Sequence, residues 1–87
     1  MGQLISVKQK HINKGKKNDG EWCPVALALL EQVDCDDVFV CDNEIYIDNV
    51  LGHYSYPLSR RVDKFIKTFD IKGKRAVKPF KFILPCH

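Results

Sequence analysis

The run Cys23-Pro-Val-Ala-Leu-Ala-Leu-Leu30 constrains the fold more than any other stretch of this 87-residue chain. Pro24 suits the first position of a helix, where a missing N–H costs nothing, and the apolar residues after it carry the helix to about Gln32. A helix apolar nearly all round is buried on most sides. At 10.0 kDa the chain makes one small domain, residues 1–87, with a modest core. Much of the rest must therefore be spent on covering this helix.

The covering elements are legible from periodicity. In residues 4–10, LISVKQK, Ile5 and Val7 alternate with Ser6, Lys8 and Lys10, the period of a half-buried strand. Val38 to Ile47 reads as two β-rich runs around Asp42-Asn43, both residues that tolerate the positive φ of a hairpin turn. From Pro57 to Asp70, Leu58, Val62, Phe65, Ile66 and Phe69 share one helical stripe, with Arg60, Lys64 and Lys67 opposite. Pro79 to Leu84 alternates again, and Pro79 places this last strand at its start or at an edge. The order strand, helix, strand, strand, helix, strand (βαββαβ) predicts an α+β domain with two helices on a four-stranded antiparallel sheet, as in a ferredoxin-like sandwich. In that arrangement the last strand neighbours the first, gathering Lys8, Lys10, Lys78 and Lys81 away from the acidic hairpin.

Charge is strongly segregated. Residues 1–17 hold five lysines and no acid, residues 18–59 nine acids and no Lys or Arg, and residues 60–87 nine Lys or Arg against Asp63 and Asp70. Basic fields of this kind favour phosphate-bearing partners, and acidic ones favour basic partners. No apolar run reaches the ~20 residues of a membrane span, and the start MGQLISVKQK lacks the apolar core of a secretory signal. A soluble intracellular protein with free thiols is expected, since Cys23, Cys35, Cys41 and Cys86 have irregular spacing and no Cys-x-x-Cys.

Two groups of residues are candidates for a ligand. Lys14, Lys16 and Lys17, with Gly15 and Gly20, lead into the start of the Cys-Pro helix, whose unpaired N–H groups and dipole suit phosphate. Asp19 and Glu21 oppose this, since they would complement the same dipole, and no nucleotide-loop pattern is matched. Trp22 either packs on the sheet or gives a ligand an aromatic wall. The second group is Arg60, Arg61 and Lys64, continued by Lys67, which with Lys72, Lys74 and Arg75 make a dense cationic surface near Tyr54 and Tyr56. Arginine beside aromatics suits phosphate contact with base stacking, although the polar face of any amphipathic helix is charged.

Chemistry is less well served. Cys23 at a helix cap could have a lowered thiol pKa, with His11 or His53 as bases, but a small buried cysteine explains it more simply. His11, Cys23, Cys35, Cys41, His53, Cys86 and His87 are of zinc-binding types at irregular spacing. No cofactor and no catalytic residue is expected.

The residues His11-Ile12-x-x-Gly15, Cys23-Pro24-Val25-Ala26-Leu27-Ala28, Phe69-Asp70, Gly73 and Pro79-Phe80-x-Phe82-x-Leu84 resemble, in order, the motifs of a family of short bacteriophage proteins without assigned activity. The resemblance departs at Gly20, where many relatives place a second cysteine three residues before the Cys-Pro. It implies a viral accessory protein acting in the host cytoplasm. The expectation is a non-enzymatic binder that counters host defence by sequestering a phosphate-bearing nucleotide signal. The alternatives are an inhibitor of a host defence protein through direct contact and a nucleic-acid-binding protein. A homo-oligomer would be compatible with an open sheet edge.

Overall fold

The computed structural model describes residues 2–41 and 44–85. Strand β1 (Gly2–Val7) leads into a short helix α1 (Gln9–Lys14), and the long apolar helix α2 is Pro24–Gln32. Three strands follow, β2 (Asp37–Val40), β3 (Glu44–Asn49) and β4 (Gly52–Pro57), then helix α3 (Arg60–Lys72), a 3-10 turn (Lys74–Ala76) and β5 (Phe80–Pro85). The turn expected at Asp42-Asn43 lies outside the described residues, as do Cys86 and His87.

The protein is α+β, but the strands form two antiparallel sheets, β1-β5 and β2-β3-β4, not one sheet of four, and there are three helices instead of two. The first and last strands pair as expected, Ile5 opposite Phe82 and Val7 opposite Phe80, and β2 pairs with β3. A ferredoxin-like sheet would bring a hairpin strand to the other edge of β1. That edge is occupied instead by the end of α2. The Gln32 side chain accepts from the Ser6 N–H at 2.8 Å and donates to the Ser6 carbonyl at 2.7 Å, and Gln3 donates to the Gln32 carbonyl. One amide side chain thus satisfies the backbone groups of Ser6 on that edge, while the hairpin forms a separate sheet with β4.

Three further expectations are corrected. The strand at residues 4–10 ends at Val7, and Lys8 caps α1, whose inner surface is the adjacent pair His11 and Ile12, both buried. Lys10 is drawn to Glu31 of α2 at 2.7 Å, so it does not join a lysine strip with Lys81. That contact first, with His11 adding to it, holds the Glu31 carboxyl below its ordinary range. The helix expected from Pro57 begins at Arg60, because Pro57 ends β4 and the Ser59 hydroxyl accepts the Val62 N–H as an N-cap.

The core lies between α2, α3 and the inner faces of both sheets. Val25, Ala26, Ala28 and Leu29 are fully buried, as the apolar helix requires, and Val62, Phe65 and Phe69 bury the expected stripe of α3, with Leu58 and Ile66 partly buried against them. Ile5, Val7, Val38, Val40, Ile45 and Ile47 come from the strands. Phe80 packs on Phe65 with ring centroids 4.6 Å apart, tying β5 to α3. No helix of the described residues is long and apolar enough to cross a membrane.

Candidate functional site

The junction between the lysine loop and α2 is built from residues that could look catalytic and are committed to packing. His11, 4% exposed, accepts the Lys8 N–H on Nδ1 at 2.9 Å, which places its proton on Nε2. Nε2 is buried 3.4 Å from the Glu31 carboxylate, with no closer partner. Four residues on, Gly15 lies against Pro24. A Cβ there would stand 2.7 Å from two carbons of the proline ring, closer than packed atoms approach. Cys23 is 3% exposed and caps α2, its sulfur accepting the Ala26 N–H at 3.4 Å. Burial outweighs that hydrogen bond and pushes the Cys23 thiol up to about 11. It is a protonated thiol at neutral pH, not the activated one a lowered pKa would give.

The start of α2 is closed for the same reason. Val25 and Ala26 are fully buried, Ala26 donates to the Cys23 sulfur, and Leu27 donates to the Cys23 carbonyl at 3.0 Å. An anion at the loop would meet ammonium groups, not a helix end. Asp19 stands close enough to the start of α2 for its charge to act on Cys23. The Asp19 carboxylate accepts the N–H groups of Glu21 and Trp22, holding the turn that leads into the helix.

The loop instead docks on the far end of α3. The Asn18 N–H donates to the Asp70 carboxylate at 2.9 Å, the Lys17 side chain runs beside Gly73, and the Lys74 ammonium donates to the Asn13 carbonyl. These contacts join Lys14, Lys16 and Lys17 to Lys72, Lys74 and Arg75, all exposed, in one basic pole. Trp22 is 49% exposed at its margin, with the Lys16 ammonium 5.2 Å from the ring centroid, and the Lys16 N–H bonds the Trp22 carbonyl. Lys72, Lys74 and Arg75 are expected from the sequence beside Arg60, Arg61 and Lys64, not beside the loop lysines. Their signal in the sequence was only their density after α3.

The other expected residues do not join this pole. Arg60 and Arg61 occupy the first turn of α3, roughly 17 Å along the axis from its last residue at 1.5 Å per residue, and Lys64 is one turn on. Arg61 is spent on the Phe80 ring, 5.5 Å from its centroid. Tyr54 and Tyr56 lie opposite Ile47 and Ile45 across β3 and β4, on the inward face of their sheet, half-buried. They are not an outward stacking platform beside Arg60 and Arg61.

Sequence reasoning also missed a groove of about 520 Å³ between the turn at 18–20, the ends of β2 and β3, and α3. Its walls include Asp19, Glu44, Asp63 and Asp70, with Phe39 and Tyr46. Gly20 forms its rim: a Cβ there would meet the Val40 carbonyl at 2.6 Å and the Phe39 ring at 2.8 Å. A cysteine at this position would displace the end of β2. Among the described residues no group of three His, Cys, Asp or Glu could hold a metal ion, and Cys86 and His87 lie outside them.

Comparison of the chain with models of protein families, with curated proteins and with solved structures returned no match. The residues of the motifs that resemble those of short bacteriophage proteins take part in packing: His11 and Gly15 shape α1, and Cys23-Pro24 starts α2.

Proposed function

We propose that the protein is a non-enzymatic binder that captures a phosphate-bearing ligand at its basic pole, a phage-type accessory protein sequestering a nucleotide signal of host defence. The viral and anti-defence part of this reading rests on the motif resemblance alone. The ligand class is supported by one observation above the others. Contacts between segments more than fifty residues apart in sequence, Asn18 with Asp70 and Asn13 with Lys74, bring two lysine groups to the same place. Like charges gathered at a cost in mutual repulsion suit a polyanion that neutralises them. Trp22, half exposed beside Lys16, offers a face on which a base can stack, so ammonium groups would take the phosphate and the indole the nucleobase.

Because Trp22 is the chain's one tryptophan, its fluorescence reports on this pole directly. Titration with mono-, di- and cyclic nucleotides should quench or shift Trp22 emission in a saturable way, with matching heat in calorimetry. Replacing Lys14, Lys16 and Lys17 together by alanine should abolish both signals. Saturable binding that survives this replacement, or none to any nucleotide or to inorganic pyrophosphate, would defeat the proposal.

A further inference from the structure

The three-stranded sheet has one face in the core and one without a partner. Val38, Val40, Ile45 and Ile47 point inward. On the outer face Phe39 and Tyr46 stand directly opposite one another, 43% and 42% exposed. Alternation puts Asp37, Glu44 and Asp48 on the same face, and β2, β3 and β4 contain no Lys or Arg. The face runs at one end into the groove walled by Asp19, Asp63 and Asp70, where the only cation, Lys67, is held by Asp63 at 2.9 Å. At the other end the β3–β4 hairpin carries Val50 and Leu51 at its tip, 90% and 83% exposed, in a turn fixed by the Asn49 side chain accepting the Leu51 N–H.

Exposed aromatic and aliphatic side chains surrounded by charge of one sign have the anatomy of a protein-docking surface. We propose that the outer face of β2-β3-β4 docks an arginine-rich segment of a partner protein. Arginine is the match because its planar guanidinium stacks on Phe39 and Tyr46 while pairing with Glu44, which the compact lysine ammonium does less well; Asp48, on the same face, is engaged by the His53 ring at 2.6 Å. The carboxylates set a negative field here: the nearby Glu44 charge is the leading reason the Tyr46 phenol is pushed above its usual range. The segment lies across the face and does not extend the sheet at β2, because the Val40 N–H on that edge already donates to the Gly20 carbonyl at 2.8 Å. This surface adjoins the basic pole at Asn18 and Asp70, which line the groove, but takes a ligand of opposite charge.

The test uses the whole protein and a fluorescein-labelled short peptide alternating arginine and leucine, with lysine and glutamate analogues, at physiological salt. Expected are saturable anisotropy with arginine preferred over lysine, no binding of the glutamate analogue, and amide shift changes centred on Phe39 and Tyr46. Phe39→Ala, Tyr46→Ala and Glu44→Gln should each weaken binding by about fivefold, while the alanine replacement of Lys14, Lys16 and Lys17 leaves it unchanged. Both aromatic side chains are exposed, so folding survives their loss, and a thermal melt verifies it. Binding indifferent to Phe39 and Tyr46, equal affinity for the lysine peptide, shift changes elsewhere, or occupation of the face by a second copy of the chain in native mass spectrometry would each overturn the proposal.

Discussion

His11, Gly15, Cys23 and Pro24 are buried and committed to one another, whereas Lys14, Lys16, Lys17 and Trp22, interleaved with them in the chain, stand in solvent. The first set has the residue types of catalysis, a histidine, a thiol and a glycine near a helix start. Each is accounted for by a backbone N–H it satisfies or a ring it packs against. The second set has no catalytic character, yet its groups are free to meet a ligand. Within the first set His11 Nε2 alone is buried without a hydrogen-bond partner, 3.4 Å from the Glu31 carboxylate.

That contrast can be broken from the committed side first. His11→Ala removes a buried ring and leaves the Lys8 N–H without its acceptor, so a loss of about 3 to 4 kcal/mol in urea unfolding is expected; a loss below 1 kcal/mol would mean the ring is dispensable. Cys23 gives the next largest effect, with pH as the variable. Its thiol has its ordinary value of 9.0 when unfolded and is pushed up to about 11 by burial when folded. Between these values the unfolded chain releases the proton first. Stability from this group is thus complete below pH 9 and is lost as pH rises toward 11, by about 2 to 3 kcal/mol. The comparison is with Cys23→Ala, which should lack this part of the pH dependence, and identical profiles would refute the assignment. Gly15→Ala should cost roughly 1 to 2 kcal/mol through its clash with Pro24, read as a lowered melting temperature. Replacing Lys14, Lys16 and Lys17 together should move stability least, within about 0.5 kcal/mol per residue, while removing nucleotide binding. Large destabilisation by this replacement would erase the distinction between the two sets.

Parts of the fold were plain in the chain because their signals are local. The stripe Val62, Phe65, Phe69 and the apolar run Val25 to Leu29 repeat at helical spacing within a few turns, and the alternation around Val38 and Ile47 is carried by adjacent residues. Helix α1 escaped because it buries only the neighbours His11 and Ile12, a pair with no period to detect. Strand β4, Gly52-His-Tyr-Ser-Tyr-Pro57, has the composition of a loop, and only its register against β3 makes Tyr54 and Tyr56 an inward row. At the candidate site the lysines of the loop were visible in the sequence. Their company was not, since Lys72, Lys74 and Arg75 reach them through contacts that span most of the chain.

Residue order and composition were enough to set a small α+β chain, a buried Cys-Pro helix, an amphipathic α3, and charge separated into blocks. These follow from periodicity and from the cost of leaving apolar surface in water, both readable over short distances. Which strand edges stay open, which aromatic rows face inward, and which lysines share a pole depended on the folded chain. A single side chain illustrates the reason. Gln32 satisfies both backbone groups of Ser6 on the edge of β1 where the expected sheet would have continued. An amide competing with a whole strand for the same hydrogen bonds leaves no mark in the pattern of the residues around it.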